Sequence, residues 1–466
     1  MREVDVAIIG AGSAGLSARR EVAKKTDNYV VIDPGILGTT CARVGCMPSK
    51  VLIQAANDYH RRFKFKEQGI IGSEQLSVDH KQTMKHVRSL RDRFVRGVTE
   101  SMDDWSEKLI RKHARFIEPH TLECEDEKIK AKKIIIATGS KPHVPQQFKS
   151  FENFLITTDD IFELEDLPKR VLVLGLGVIG VELGQALHRL GVEVYGVNRS
   201  RRVAGITDPV LNDYTIKKLS EELSLFFGGV EKLEKKGDSL LVTLKDKTVE
   251  VDKVLIASGR KSNIASLNLE SIGIDCKVDN VPQIDECTFQ LQKHPHIFLT
   301  GDATGENQIL HEASDEGKIA GYNCVHDIIE FKTRTPLLIA FSDPNIAVAG
   351  ASYKELFDKK INFAIGEVSF EGQGRSIVKL KEKGLLRIYG GQNGEILGAE
   401  MFGPDCEHIA HLLSWVIDRK LNVLQVLAMP FYHPVVEEGL RTALRDLRSK
   451  LEIDVPELEI MPLLGE

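Results

Sequence analysis

Two glycine-patterned segments, 165 positions apart, restrict what this chain can fold into. The first runs VDVAIIG, AGSAG, LSARREVAKK and YVVID, which reads as strand, turn, helix and strand. Gly10, Gly12 and Gly15 fall in G-x-G-x-x-G spacing, and Asp33 closes the second strand, 18 residues beyond the third glycine. Glycines at these positions let backbone approach a pyrophosphate at a helix N-terminus, and the acid accepts hydrogen bonds from a ribose. The second segment, RVLVLGLGVIGVELGQALHRLGVEVYGVNRS, repeats the pattern with Gly175, Gly177 and Gly180 after an apolar strand. Each copy is followed by a late strand ending in a glycine turn: KKIIIATGS, with Thr138 and Gly139, and DKVLIASGR, with Gly259. A matching late strand points to duplication of a whole nucleotide-binding domain and to two bound dinucleotides. The competing reading is that one copy is a relic whose glycines serve only tight turns.

Between the copies lies GTTCARVGCMPSK, with Cys41 and Cys46 five positions apart. In a regular helix such residues have Cα atoms about 8.6 Å apart, beyond the roughly 7 Å reach of a disulfide. A bridge therefore requires a distorted turn. Gly45 gives the backbone that freedom, and Pro48 cannot donate to the Val44 carbonyl. Spacing alone leaves open whether the pair works together.

A chain of 466 residues with 42% apolar content can build two to four domain cores. A net charge of −6, with both signs dispersed, offers no electrostatic reason for nucleic acid or an anionic membrane as partner. The N-terminal run VAIIGAG is too short to span a bilayer and lacks a cleavage pattern. Seven cysteines without regular spacing argue against a secreted disulfide scaffold. The expectation is a cytoplasmic protein in which any disulfide is catalytic or redox-sensing. No residues are assigned to a metal.

Beyond about residue 340 the texture changes. NFAIGEVSF, SIVKLKEKGLLRIYGG and GEILGAEMFG read as antiparallel strands, followed by the helical stretches CEHIAHLLSWVIDRK and VVEEGLRTALRDLRSK. These form a separate C-terminal α+β domain. In LTGDATG, Asp302 follows an apolar strand, either to meet a polar cofactor chain or to form a turn beside Gly301.

Taken in order, the first glycine motif, C-x-x-x-x-C with PSK, ATGS, the second glycine motif with Glu182, ASGR, GDATG, and HP with a carboxylate five residues after the histidine span nearly the whole chain. In this the chain resembles the pyridine nucleotide-disulfide oxidoreductases, and among them is most similar to the dihydrolipoamide dehydrogenases. The resemblance implies an α/β fold with two Rossmann-like domains: an FAD domain at 1–150, an NAD(P) domain at 151–265, a second FAD or central segment at 266–338, and a dimerisation domain at 339–466. It implies that Cys41 and Cys46 form the redox disulfide, with Cys46 facing the flavin and Cys41 exchanging with substrate. Lys50 would approach the flavin and pair with Glu182. His433 and Glu438 would be the acid/base pair, reaching the partner subunit's disulfide in an obligate homodimer. Gly10, Gly12, Gly15, Asp33, Thr40, Lys50, Thr138, Gly139 and Asp302 would hold FAD. Gly175, Gly177, Gly180, Arg199 and Gly259 would hold NAD(P).

Some positions depart from the family pattern. Thr39 and Arg43 stand where glycine and asparagine are usual, and Val435 replaces a threonine after His433-Pro434. Arg43 would lower a thiolate pKa, contact an anionic substrate or point to solvent. Asn198 stands where NAD-using relatives carry an acid, and Arg199, Arg201 and Arg202 follow it, which favours NADPH. Gly180 and Val178, by contrast, match NAD-type relatives. The chain ends in LLGE without cysteines, unlike relatives with a C-terminal redox pair.

The expected function is dihydrolipoamide dehydrogenase, free or within a 2-oxo acid dehydrogenase complex, acting on a lipoyl-type or other small dithiol or disulfide. The alternatives are an NADPH-dependent reductase of a glutathione-like or protein disulfide, and a flavin-containing redox sensor or assembly subunit with negligible turnover.

Overall fold

The computed structural model describes residues 1–275, 281–306, 308–454 and 458–460. The first strand, Arg2–Ile9, lies between Tyr29–Ile32 and Glu127–Ile136 and is parallel to both. Leu109–Ile110 extends the sheet on one side and Ile297–Leu299 on the other, again in parallel. Residues 6 to 9 of the first strand are all buried, as expected of a parallel strand covered on both faces. On one face the helix Ser13–Val22 packs against Leu310–Val325. Their backbones nearly touch: a Cβ at Gly317 would lie 2.2 Å from the Ala14 carbonyl oxygen, and one at Gly321 would lie 2.5 Å from that of Ala18.

The second sheet repeats the order. Arg170–Leu174 lies between Glu193–Asn198 and Lys253–Ile256, with Ser224–Phe227 and Leu155–Ile156 outermost, all parallel. Each unit makes an antiparallel excursion before or into its late strand. In the first this is Arg115–Glu118 and Thr121–Cys124 running into Glu127–Ile136; in the second it is Lys232–Lys236, Ser239–Thr243 and Thr248–Val251. This shared plan is what duplication of an entire unit produces. The outer strand Ile297–Leu299 reaches the first sheet only after the second unit has been completed, so the first unit is split in sequence. A short ribbon, Ser140–Pro142 with Arg260–Ser262, runs between the two.

The C-terminal sheet is antiparallel in the order Leu337–Ala340, Asn345–Gly350, Ile396–Gly403, Leu385–Gly391, Phe363–Ser369. Helices Cys406–Asp418 and Glu438–Ser449 pack on it. The latter buries Leu440, Ala443, Leu444 and Leu447 at helical spacing, each leucine contributing about 1.5–3 kcal/mol of apolar burial. Leu447 fits because Gly366 and Gly390 lack side chains; a Cβ at Gly366 would come within 2.5 Å of Leu447 Cβ. The fully buried Glu400 carboxylate accepts the backbone N–H groups of Thr207 (2.6 Å), Asp208 (3.0 Å) and Tyr353 (2.9 Å), fastening the second unit to this sheet. Among the described residues no helix is long and apolar enough to cross a membrane.

Candidate active site

Gly10, at φ +113°, turns the chain from strand to helix, and an added Cβ would lie 2.2 Å from the Ala137 carbonyl oxygen. Gly15 packs its helix on that turn, its would-be Cβ only 1.9 Å from Gly10 O, whereas Gly12 has nothing within 4 Å. Space is therefore kept open only at the middle glycine, where a pyrophosphate would approach backbone. The second loop reproduces this. Gly175 has φ +102° and a would-be contact of 2.4 Å with Ala257 O, Gly180 would meet Gly175 O at 1.8 Å, and Gly177 is open. Gly139 and Gly259 close the two late strands with φ of +67° and +106°. A single cleft of about 1070 Å³ joins the loops and is lined by Gly12, Thr40, Cys41, Cys46, Gly177 and Asp302, among others.

The residues of the first loop fit a flavin dinucleotide. Asp33 is tied to the loop, one oxygen accepting from Ala11 N–H (2.7 Å) and the other from Gly35 N–H (2.8 Å). Thr138 Oγ1 is buried with no hydrogen-bond partner among the described residues, a donor left for a bound group. Asp302 accepts from Ser140 Oγ at 2.6 Å, and Arg260 donates to the same hydroxyl at 2.8 Å.

The distorted turn that the cysteine spacing requires is present. Cys41 lies in the short helix Thr40–Val44, Gly45 breaks it at φ −125°, ψ −118°, and Cys46 opens the helix Cys46–His60. A Cβ at Gly45 would crowd Thr40 O at 3.0 Å and Cys41 Cα at 3.2 Å, so glycine lets the two turns stack. Both cysteines carry free thiols. A hydrogen bond from the Cys41 thiol draws Cys46 below the ordinary thiol value to about 7; burial opposes this, Lys50 adds to it, and Glu182 counters it. The same hydrogen bond, with burial, pushes Cys41 far up. One sulfur is thus substantially ionised near neutral pH and the other keeps its proton. Arg43 is not among the principal groups acting on either sulfur; its Nε is buried without a partner among the described residues. Thr39 takes φ +61°, ψ 151°, a region that β-branched residues avoid, and its hydroxyl accepts from Ala42 N–H at 3.2 Å.

Lys50 Nζ donates to both oxygens of Glu182, at 3.0 and 2.9 Å. Glu182 is 4% exposed; it also accepts from Phe341 N–H at 2.7 Å, and the Phe341 ring lies 4.7 Å below the ammonium. Glu182 comes from the second glycine-loop helix, Val178–Arg189, and Phe341 from the edge of the C-terminal sheet. This ion pair therefore joins three parts of the fold beside Cys46.

His433 Nδ1 lies 3.0 Å from Glu438, which also accepts from Val435 N–H at 3.2 Å. The helix begins at Glu438, so Pro434 leaves the ring just outside the helix with its partner in the first turn. The hydrogen bond with His433 lowers the Glu438 pKa. The His433 side chain is 80% exposed and is not part of the cleft lining. Within one chain the structure does not bring it to the cysteines.

At the second loop, Asn198 donates to the carbonyls of Ser200 (3.1 Å) and Arg202 (2.9 Å) and so staples its own turn. Arg199 and Arg202 line the cleft; Arg201 turns away to Asp213 (3.3 Å) and the Phe227 ring. Sequence reasoning missed Ser140, Arg260, Phe341 and Arg189. Ser140 and Arg260 close the ATGS and ASGR stretches, but their contacts with each other and with Asp302 are distant in sequence, as are those of Phe341. Arg189 could have been found from the helical spacing Glu182, Gln185, Arg189.

Residues 4–317 match the family described as pyridine nucleotide-disulphide oxidoreductase, and residues 337–444 match that family's dimerisation domain. Dihydrolipoyl dehydrogenase of Bacillus subtilis is 28% identical over 94% of this chain and 97% of the relative. Mercuric reductase of Lysinibacillus sphaericus is 27% identical over 94% of this chain and 82% of the relative. The HOCl-induced flavoprotein disulfide reductase RclA of Escherichia coli superposes with a TM-score of 0.81 at 21% identity, covering 96% of this chain and 99% of that one.

Proposed function

Because this chain belongs to the pyridine nucleotide-disulphide oxidoreductase family, we propose that it passes electrons between NADPH and a dithiol or disulfide substrate through bound FAD and the Cys41–Cys46 pair. The observation that carries this reading is the asymmetric thiol pair, with Cys46 near 7 beside the Lys50–Glu182 ion pair, in one cleft with both glycine loops. Bound flavin supplies two-electron carriage between nicotinamide and sulfur. The chain does the rest. Lys50 favours ionised Cys46, while Cys41 keeps its proton until it exchanges with a substrate sulfur.

In substrate oxidation, a substrate thiolate attacks Cys41 of the disulfide form, its second sulfur displaces Cys41, and the substrate leaves as a disulfide with the cysteines reduced. The two substrate protons pass to His433 Nε2 and to the cysteine pair. His433 uses Nε2 because Glu438 holds Nδ1. An exposed His433 outside its own cleft, on a C-terminal domain that also exposes Trp415 (65%) and Tyr432 (79%), supports a homodimer in which each subunit serves the other's cysteines.

The first substrate to test is dihydrolipoamide, with glutathione disulfide as the alternative. The likeness to mercuric reductases adds mercuric ion to the panel. Steady-state assays with each, using NADH and NADPH, decide among them, and turnover of none would favour a flavin-containing redox sensor. The exposed Arg199 and Arg202, with no carboxylate at Asn198, support NADPH. Arg199→Ala should cut NADPH efficiency about tenfold and spare NADH. Equal losses with both nucleotides would refute the assignment.

A further inference from the structure

The helix that opens with Cys46 and the helix that leaves the second glycine loop share a polar seam. On the first, Lys50 and Asn57 are two turns apart; on the second, Glu182, Gln185 and Arg189 follow at three- and four-residue steps and face the same way. The backbone run Phe341–Asp343 lies against both. At one end, Phe341 N–H holds Glu182 and its ring underlies Lys50. At the other, Gln185 accepts from Asp343 N–H (2.8 Å) and donates to Asp343 O (2.9 Å).

Arg189, 6% exposed, closes this end. It donates to Glu222 (2.6 and 3.1 Å), to the Asp343 carboxylate (3.0 Å) and carbonyl (2.9 Å), and to Asn57 Oδ1 (2.6 Å) on the cysteine helix. Lys381 supplies a second cation to Asp343 at 2.8 Å. Burial pushes Asp343 and Glu222 up, but the neighbouring cations more than reverse it and both stay ionised. Removing Arg189 would strip the half-buried Glu222 of its ion-pair partner and leave Asp343 with only Lys381 among the described residues, and the run that carries Asp343 also holds Glu182. A carboxylate in this position relaxes by moving toward solvent.

We propose that Arg189 is a positioning residue for the Cys46 sulfur: by fastening Phe341–Asp343 and Asn57 to its helix, it keeps Lys50 beside Cys46. The proposal rests on the reading of Cys46 as the redox thiolate. It assigns to Arg189, at the far end of the helix from the glycine loop, a part in the reactivity of a sulfur it does not touch.

The test is the pH dependence of Cys46 alkylation by iodoacetamide in the reduced, flavin-bound protein, with the modified residue identified by peptide mapping. Arg189→Met should slow alkylation near pH 7 about fivefold, corresponding to a rise of about one pKa unit from about 7. Arg189→Lys should recover part of the loss. Arg387→Met is the control, because it leaves the fully buried Asp208, where the second unit meets the C-terminal sheet, without its cation and lowers stability without touching the seam. Should Arg189→Met fail to fold, Gln185→Leu cuts two hydrogen bonds to the same backbone run and should slow alkylation in the same direction. A wild-type pH profile in Arg189→Met or Gln185→Leu, or an equal shift in Arg387→Met, overturns the proposal. A wild-type Cys46 that reacts only as an ordinary thiol removes the redox reading of that cysteine, and the proposal with it.

Discussion

Replacing Lys50 with methionine removes a cation that two anionic neighbours share. Its ammonium is 2.9 Å from Glu182, whose side chain is 4% exposed. Losing the lysine leaves a buried carboxylate with only the Phe341 N–H among the described residues, at a cost of about 3–5 kcal/mol. That is a large part of the roughly 5–15 kcal/mol by which folded domains exceed unfolded ones. At Cys46 the same ammonium is the second lowering influence, after the hydrogen bond from Cys41. Its removal should return Cys46 from about 7 part of the way to the ordinary thiol value. A rise of about one unit reduces the thiolate fraction at pH 7 from about half to about a tenth. Glu182→Gln should do the reverse at sulfur, because Glu182 raises Cys46. The double variant should regain most of the stability lost in Lys50→Met, to within about 1 kcal/mol, since no buried charge is stranded. Urea denaturation of the flavin-bound protein gives the stabilities, and the pH profile of Cys46 alkylation in the reduced form gives the thiol values. An unchanged profile in Lys50→Met, or a rise in Glu182→Gln, would refute the electrostatic assignment.

Gly177→Ala should preserve the melting temperature but weaken nucleotide binding at least tenfold, because its Cβ meets open space where a pyrophosphate would lie. Gly180→Ala, with a contact of 1.8 Å to Gly175 O, should lower the melting temperature sharply; calorimetry and nucleotide titration separate the two. At Thr39 the usual order of alanine over glycine should invert. Both lose the cap on Ala42 N–H, but only glycine relieves φ +61°, so Thr39→Gly should be more stable than Thr39→Ala by about 1–3 kcal/mol in denaturant melts. Burial raises Glu316 from 4.5 to about 7 although it accepts from Gly301 N–H. A carboxyl that binds its proton more tightly when folded stabilises fully below pH 4.5, and this stabilisation is lost as pH rises through about 7. Glu316→Gln should remove about 2–3 kcal/mol of that decline, measured as the change in unfolding free energy between pH 5 and 8. A variant with the wild-type slope would refute it.

The duplicated nucleotide unit, the broken helix between the cysteines and the antiparallel C-terminal sheet were all legible in the chain. Each depends on neighbours in sequence: glycine where backbone approaches backbone, alternation along a strand, a proline that denies a donor. The Gly45 break is a local case, forced because two sulfurs five residues apart cannot meet on an unbroken helix. The roles of Lys50, Glu182, His433 and Glu438 came from motif resemblance, and the geometry adds the hydrogen bonds of each pair.

Only tertiary structure decided which cation acts on Cys46. Arg43 is three residues away in sequence, yet Lys50 is the effective neighbour. It also decided that Arg199 and Arg202 line the cleft while Arg201 pairs with Asp213, and that Phe341 completes the Glu182 site from a different domain. Local pattern determines backbone conformation because it acts through near neighbours and steric limits. Charge acts through space, so the pKa of a thiol, the ionisation of a buried acid and the partner of an arginine follow from how distant segments pack.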